Sequence, residues 1–282
     1  MKSIVITGGT SGLGLQAAFN LGSQFDNMYI IGKNEEKGQS ALQDIKKLFP
    51  KINIEFMKTD LSLISEIKKL SAYFFNKKIK IDILINNAGG IFFKRSLTAE
   101  KIEKTFALNH LAYFALTNLF LKNNIFKKEA KIINVASGAH RGANLNFTDI
   151  EMKQKYNGWL CYKKSKLCNI LFTKKLSELV KLQNITVNCL HPGFVKTEFG
   201  KNNPGILSFL LKILMSFHAI KVSEGVKTIV YLAINDEAKK ISGEYFYKSK
   251  VTKPSQSAED KELADKLWNY TLQTLSNYGL TF

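Results

Sequence analysis

A tyrosine and a lysine four residues apart form the pair best suited to acid–base chemistry in this sequence. Tyr162 and Lys166 lie in a segment that predicts a helix, so their side chains share one face. A free tyrosine has a pKa of about 10, and a nearby ammonium group favours its phenolate. Tyr-x-x-x-Lys alone is common on surface helices. Because Ser137 ends a predicted strand upstream and Asn109 lies in the helix before it, the set predicts proton exchange between Tyr162 and a substrate oxygen.

A glycine-rich turn follows the first predicted strand. Gly8, Gly12 and Gly14 are spaced Gly-x-x-x-Gly-x-Gly, directly before a predicted helix. Glycines let the backbone approach a pyrophosphate, and the helix N-terminus supplies free N–H groups. The alternative is a simple glycine-rich turn. Its place after the first strand of an alternating chain favours dinucleotide binding.

The elements that must position these residues alternate along the chain. The predicted strands are continuous apolar runs, as expected for a parallel sheet covered on both faces. This predicts one α/β domain over residues 1–282, with a doubly wound parallel sheet (a Rossmann fold). The predicted strands are 4–7, 28–31, 52–57, 83–86, 131–136 and 185–190, and the predicted helices are 12–22, 35–48, 63–75, 99–121 and 159–180.

A long apolar segment interrupts the alternation at 197–223. Leu207, Leu211 and Leu214 recur at helical spacing after an Asn-Asn-Pro-Gly break. Long connections in compact domains are usually functional, so we predict a substrate lid at about 197–223. The alternative is a helix packed on the sheet. The lysines Lys212 and Lys221 also leave weak peripheral membrane contact open.

Taken together and in this order, the motifs resemble the short-chain dehydrogenase/reductase family. The resemblance covers nearly the whole chain. It depends on residues 7–14, Asp60, Leu61, 86–89, Asn109, Ser137, 162–166 and 191–193. Segments 162–171, 191–199 and 241–246, with Leu267 and Trp268, look most like the retinol-dehydrogenase-like branch.

The resemblance implies a role for each catalytic residue. Ser137 would hydrogen-bond the substrate oxygen, Tyr162 would act as acid or base, and Lys166 would hold the nicotinamide ribose. Asn109 would hold a water in the proton relay. Ser137 follows Ala136, where the family often has another serine, and this departure leaves the catalytic position itself unchanged. The implied cofactor-binding residues are Gly8, Thr10, Ser11, Gly12, Leu13, Gly14, Lys33, Asp60, Leu61, Asn87, Ala88, Gly89, Tyr162, Lys166, Pro192, Gly193, Val195 and Thr197.

The end of the second predicted strand bears on the choice of cofactor. Gly32 stands where an acid would bind the two ribose hydroxyls of NAD, and Lys33 follows it. A cation there can pair with the 2′-phosphate of NADP, and Ser11 can add a hydroxyl. A solvated surface lysine is the alternative for Lys33, and a helix cap for the turn at 61–65 is the alternative for Asp60. We expect NADP(H), with NAD(H) as the weaker choice.

The sequence therefore predicts an NADP(H)-dependent enzyme that interconverts a carbonyl and an alcohol. The apolar segment beside the expected site favours a nonpolar substrate, such as retinal or a lipid-like aldehyde or ketone. One alternative is a double-bond reductase of the protochlorophyllide reductase type. Another is a catalytically silent dinucleotide-binding scaffold protein. No metal is expected, because no ligand set has metal spacing and the cofactor carries the hydride.

The charge of the chain bears on nucleic-acid binding, and its cysteine content bears on its location. There are 41 Lys and Arg against 23 Asp and Glu, a net charge of +18, but only Arg95 and Arg141 are arginines. The scattered lysines favour compositional bias over nucleic-acid binding, which usually relies on arginine. Three cysteines and the lack of a signal-peptide pattern favour a reducing, cytoplasmic location.

In the family, helices corresponding to 99–121 and 159–180 often pair across a dimer interface, which leaves a homodimer open. Phe106, Phe114 and Leu171 are equally explained by the protein's own core.

Overall fold

One eight-stranded sheet organises the chain. The computed structural model describes residues 1–195 and 220–282. The strands are β1 (Ser3–Thr7), β2 (Asn27–Gly32), β3 (Asn53–Lys58), β4 (Ile81–Asn86), β5 (Phe126–Val135), β6 (Thr186–His191), β7 (Tyr245–Tyr247) and β8 (Lys250–Val251). Their order is β3-β2-β1-β4-β5-β6-β7-β8, parallel as far as β7, with β8 antiparallel. The order reverses between β1 and β4, the crevice where such sheets bind ligands at the carboxyl ends of the strands.

Helices cover both faces of the sheet. They are α1 (Gly12–Leu21), α2 (Glu35–Leu48), α3 (Ile64–Asn76), α4 (Lys104–Phe106), a π-helical turn (Ala107–Leu111), α5 (Ala112–Lys122), α6 (Gly158–Leu179), α7 (Val222–Gly225), α8 (Lys227–Ile234), α9 (Gln256–Glu259) and α10 (Lys261–Ser276). The predicted α/β fold with a doubly wound parallel sheet is confirmed, and the six predicted strands correspond to β1–β6. Beyond residue 190 the sequence predicts only the lid at about 197–223, whereas the structure adds α8, β7 and α10, which complete the fold.

The helix predicted at 99–121 was wrong at its start. It begins at Lys104, because the Glu103 carboxylate accepts hydrogen bonds from the N–H groups of Thr105 and Phe106 and so caps it there. The preceding residues form a short turn closed by an isolated bridge between Leu97 and Glu103. The five-residue π-helical turn then interrupts the helix around Asn109.

Two apolar cores lie on opposite faces of the sheet. Val5 of β1 belongs to one core, whereas its neighbours Ile4 and Ile6 belong to the other. This explains the continuous apolar strands, since both faces of each strand are buried. The first core is rich in aromatic rings: Phe114 packs against Trp268 of α10, with ring centres 4.6 Å apart.

The residues considered for a dimer face are buried inside the chain. Phe106, Phe114 and Leu171 all belong to the first core, where α10 packs on α6. Their apolar character is thus explained by intrachain packing, and a homodimer stays a prediction. The predicted lid lies mostly outside the described residues, which include only its last four positions, 220–223.

The three cysteines of the chain all lie within the described residues. Cys161, Cys168 and Cys189 are buried and free of disulfide bonds. None of the helices within residues 1–195 and 220–282 is both long and apolar enough to cross a bilayer.

Candidate active site

The glycine turn between β1 and α1 disfavours side chains at its glycine positions. Gly8 and Gly12 have φ values of 63° and 53°, in the left-handed region that favours glycine. A Cβ on Gly14 would lie 2.2 Å from the Gly8 carbonyl oxygen. The Ser11 side chain makes no capping hydrogen bond at the start of α1. The Ser11 side chain leaves the first N–H groups of α1 uncapped, and the glycines let a ligand approach the backbone closely. This arrangement fits the pyrophosphate of a dinucleotide.

The end of β4 is tied to this turn. The Asn87 and Ala88 N–H groups donate to the Thr7 hydroxyl, at 2.8 and 3.1 Å. The Asn87 side-chain amide donates to the carbonyl oxygens of Thr7 and Gly8, at 2.9 and 3.3 Å. These bonds join the two strands that flank the crevice. The predicted residues 87–89 therefore lie beside the glycine turn.

Asn109 is buried in the π-helical turn and fixes the loop after β4. Its side-chain oxygen accepts from the Gly90 N–H at 2.8 Å, and its amide donates to the Gly90 carbonyl oxygen and the Ser165 hydroxyl, both at 2.9 Å. A Cβ on Gly89 would be 3.1 Å from Asn109 Oδ1 and 3.6 Å from Lys166 Nζ. The structure therefore brings Asn109 close to Lys166, 57 positions along the chain.

Tyr162, Lys166 and Ser137 meet at the carboxyl ends of β5 and β6. Lys166 Nζ donates to the Val135 carbonyl oxygen at 2.8 Å and lies 5.8 Å from the centre of the Tyr162 ring. The hydroxyls of Tyr162 and Ser137 are hydrogen-bonded to each other. The predicted four-residue spacing thus places the buried phenol and ammonium groups together, beside the half-buried Ser137.

Burial shifts both ionisable groups towards their neutral forms. It raises the pKa of Tyr162 to about 12, and the hydrogen bond with Ser137 opposes part of this rise. It lowers the pKa of Lys166 to about 7. We expected the ammonium to favour the phenolate, but in the protein itself desolvation is stronger. Tyr162 is therefore a phenol at neutral pH, the form that can donate a proton.

His140 positions Ser137, a role that the sequence did not predict. Its Nδ1 lies 2.7 Å from the Ser137 carbonyl oxygen, and its Nε2 lies 3.0 Å from the Ser255 N–H nitrogen. A carbonyl only accepts and an N–H only donates, so these partners fix the neutral tautomer with its proton on Nδ1. Burial also lowers the pKa of His140. Ser255, 115 positions away, is the partner that the sequence could not show.

Replacing His140 with phenylalanine is expected to lower kcat roughly 10- to 100-fold, because Ser137 loses the bond that fixes its backbone. The ring contact with Tyr245 can remain. His140→Asn keeps a donor near Nδ1 and should retain more of the rate. Dissociation constants for the cofactor, measured by fluorescence titration, should stay unchanged in both variants. Equal kcat values for wild type and His140→Phe would contradict this positioning role.

The end of β2 is occupied by a threonine and an ion pair. A Cβ on Gly32 would lie 2.7 Å from both Thr10 Cγ2 and Thr10 Oγ1. Lys33 Nζ lies 2.5 Å from Asp60 Oδ2, and Lys33 is largely exposed. Two predicted cofactor residues thus bind each other. Burial raises the pKa of Asp60, but hydrogen bonds from Lys33 and Ser62 outweigh it and leave the pKa below its usual value.

Asp60 holds a turn and does not cap α3. Its Oδ1 accepts from the Ser62 N–H and hydroxyl, at 3.1 and 2.7 Å. The Glu100 carboxylate instead accepts from Ile64 and Ser65 at the start of α3, at 2.6 and 2.9 Å. The helix-cap alternative for Asp60 was therefore wrong. Leu61 is buried in the first core.

The turn after β6 packs on the glycine-turn side of the crevice. Gly193 has a φ of 88°, and Val195 forms an isolated parallel bridge with Ile220. A Cβ on Gly225 of α7 would lie 2.5 Å from a Val195 methyl group and 3.1 Å from Leu13. Sequence reasoning missed Gly225, whose close approach brings Leu13 and Val195 together. Thr197, also predicted here, lies outside the described residues.

Burial keeps one histidine and one cysteine near the site, His191 and Cys161, in their neutral forms. The His191 ring stacks on Tyr247 at 5.1 Å, and burial lowers its pKa to about 4. Burial also raises the pKa of the Cys161 thiol, to about 12. Within residues 1–195 and 220–282, we find no group of three or more His, Cys, Asp or Glu side chains placed to hold a metal.

Known proteins resemble this chain over nearly its whole length. The family model described as short chain dehydrogenase matches residues 2–205. Short-chain dehydrogenase TIC 32 A, chloroplastic, of Brassica napus is 33% identical over 283 residues, 97% of this chain and 88% of that relative. Human retinol dehydrogenase 13 is 33% identical over 273 residues, 95% of this chain and 82% of that relative. The crystal structure of an uncharacterized Mycobacterium Paratuberculosis protein has a TM-score of 0.78 at 25% identity, covering 98% of this chain and 94% of that one.

The fold, the site and these similarities define the class of protein. The chain belongs to the short-chain dehydrogenase/reductase family, whose members are oxidoreductases that bind nicotinamide dinucleotides. Within that family it is retinol-dehydrogenase-like.

Proposed function

We propose that this protein is an NADP(H)-dependent oxidoreductase that reduces a carbonyl to an alcohol, or catalyses the reverse reaction, on a nonpolar substrate. The observation that carries the proposal is the cluster of buried Asn109, Tyr162 and Lys166 with the half-buried Ser137 at the carboxyl edge of the sheet. A phenol, a hydroxyl and an ammonium group that meet beside a dinucleotide crevice suit proton transfer to a substrate oxygen.

Each residue of the cluster has a defined task in this proposal. When bound, the nicotinamide supplies the hydride. Tyr162 donates its proton to the substrate oxygen, and Ser137 holds that oxygen with its hydroxyl. Lys166 binds the ribose hydroxyls and, as an ammonium group, stabilises the phenolate left on Tyr162. Asn109 would hold the relay that returns a proton to Lys166.

The backbone around the crevice would hold the rest of the dinucleotide. The turn with Gly8, Gly12 and Gly14 and the N-terminus of α1 suit the pyrophosphate. Asp60 and residues 87–89 would line the adenosine pocket. The family resemblance implies further cofactor contacts, made by Leu13, Leu61, Pro192, Gly193 and Val195. The Lys33 ammonium, which lies on Asp60, would turn to the 2′-phosphate.

The Thr10–Gly32 contact supports NADP over NAD. The acid that would bind the NAD ribose needs a side chain at position 32, and the Thr10 side chain occupies that space. Position 32 itself carries no acidic side chain, whereas the Lys33 side chain is 67% exposed and would turn from Asp60 to a phosphate.

Substitutions at Thr10, Gly32 and Lys33 are expected to change the preference for NADPH over NADH. In the triple variant T10A/G32D/K33A, the ratio of kcat/KM for NADPH over NADH should fall at least about tenfold, which is about 1.4 kcal/mol of discrimination. G32D/K33A without the Thr10 change should shift the ratio less and lower the Tm, because the new Cβ meets Thr10. The matched control T10A/K33A adds no acid, so it should weaken NADPH without improving NADH. A wild-type preference for NADH would contradict the assignment.

Aromatic surface beside Tyr162 supports a nonpolar substrate. Trp159 stacks on the Tyr162 ring at 5.8 Å, yet 48% of it is exposed. Phe194, in the turn after β6, is also exposed. A relative named retinol dehydrogenase supports the same class of substrate.

The function is tested by NADPH oxidation with aldehydes and ketones of increasing chain length. We expect turnover that improves with chain length. NADPH binding without turnover over the whole panel would favour a silent scaffold, and strict light dependence would favour a double-bond reductase. The cytoplasmic location, the single-domain boundaries and the exclusion of nucleic acid stay predictions.

A further inference from the structure

A basic cleft lies at the amino-terminal edge of the sheet, opposite the candidate active site. It has a volume of about 810 Å³, and its lining includes Lys128, Lys131, Lys181, Lys239 and Lys240. Lys131 lies where β5 begins to pair with β6, whereas Ser137 follows the carboxyl end of β5. The cleft is thus separated from the dinucleotide crevice by the length of the sheet.

An irregularity in β5 shapes one wall of the cleft. Ile81 of β4 pairs with Phe126, but Ile83, only two residues later, pairs with Lys131. The extra residues of β5 are not paired with β4. Glu129, one of them, has a left-handed φ of 64°. This bulge brings Lys128 into the lining with Lys131, which a regular strand would hold farther apart.

The cleft carries unneutralised positive charge. Its lining holds five lysines and two glutamates, Glu129 and Glu178. Lys239 pairs with Asp236 at 2.5 Å, and Glu178 pairs with Lys261 outside the lining at 3.6 Å. Lys128, Lys181 and Lys240 form no ion pair within the described residues. Clustered charge of one sign in a concave surface attracts the opposite charge.

Lys131 holds a fixed ammonium group inside the cleft. Its Nζ donates to the Ala233 carbonyl oxygen at 2.8 Å and to that of Leu232 at 3.4 Å, near the end of α8. Burial, and then the neighbouring Lys239, lower the pKa of Lys131. An anion in the cleft would relieve this crowding of like charges.

We propose that this cleft binds a compound that carries several phosphate groups. Three unpaired ammonium groups around one concavity match several phosphates, and the volume is much larger than a single phosphate requires. Such groups occur in free polyphosphates and in phosphoinositide lipid headgroups. Leu182, which is 97% exposed next to Lys181, could enter a lipid interface without touching a free anion.

The test measures binding of inorganic tripolyphosphate to the full chain by calorimetry. NADPH is added at one equivalent, so that the dinucleotide crevice is filled and the cleft stays open to tripolyphosphate. We expect one saturable site that weakens with salt, and an affinity at least about tenfold lower in K128Q/K181Q/K240Q, since each exposed charge adds a modest factor. The control K46Q/K51Q/K266Q removes the same charge from exposed lysines elsewhere and should bind like wild type. Turnover should be unchanged in both triple variants.

Vesicles distinguish the two sources of phosphate. Phosphatidylcholine vesicles with phosphatidylinositol 4,5-bisphosphate should bind wild type and the control, but not K128Q/K181Q/K240Q, if a lipid is the ligand. Leu182→Ser should then weaken vesicle binding and leave tripolyphosphate affinity unchanged. Tripolyphosphate binding without vesicle binding supports a free polyphosphate. No saturable binding, or equal losses in the two triple variants, would overturn the proposal.

Discussion

Tyr162→Phe is expected to lower kcat about 10²- to 10⁴-fold, the usual contribution of a positioned acid or base. Only the hydroxyl that donates the proton is removed, so cofactor affinity should stay near the wild-type value. The buried ring keeps its stacking with Trp159. Single-turnover rates with NADPH and the best carbonyl from the panel, together with fluorescence titration of NADPH, separate chemistry from binding.

Tyr113→Phe is the matched control for this experiment. Tyr113 is also buried beside Lys166, with the ammonium 5.7 Å from its ring centre. Its hydroxyl has no hydrogen-bond partner among the described residues. Removing that hydroxyl should leave kcat within about threefold of wild type, because it takes no part in proton transfer. Near-normal turnover of Tyr162→Phe would exclude Tyr162 as the acid.

Lys166→Met should abolish most turnover and stabilise the fold at neutral pH. In the folded protein burial lowers the pKa of Lys166 to about 7, whereas an unfolded lysine titrates at about 10.4. At and below pH 7 the buried site therefore disfavours the ammonium, at a cost on the order of a few kcal/mol. Between about pH 7 and 10 the unfolded state binds more protons, so the wild-type free energy of unfolding gains a contribution that rises with pH.

The measurement is the difference in unfolding free energy between Lys166→Met and wild type, from urea titrations at pH 6 and pH 10. This difference should be larger at pH 6 by a few kcal/mol, because at pH 10 the folded lysine is neutral and most of the cost of burying its charge is gone. Other titrating groups, such as the buried cysteines, cancel in the difference. Lys163→Met, in the same helix, controls for loss of one lysine. A pH-independent difference would show that the Lys166 ammonium is not disfavoured by burial.

Several features of this protein follow from local sequence pattern alone. The fold class was predictable because strands buried on both faces must be continuous apolar runs, and β1 with Ile4, Val5 and Ile6 has that pattern. The glycine turn was predictable because left-handed φ values and close backbone contacts admit little else. The Tyr162–Lys166 pair was predictable because helical periodicity puts residues four apart on one face.

Only the tertiary structure determines which distant groups meet and what burial does to them. Glu103 fixes where its helix starts, Glu100 caps α3, and Asp60 holds Lys33, which comes from another strand end. His140 holds Ser137 because the segment before α9 supplies the Ser255 N–H. These contacts depend on chain segments far apart in sequence, so local periodicity carries no signal for them. The raised pKa of Tyr162 likewise results from desolvation by the assembled core, which overrides the effect expected from the lysine four residues away.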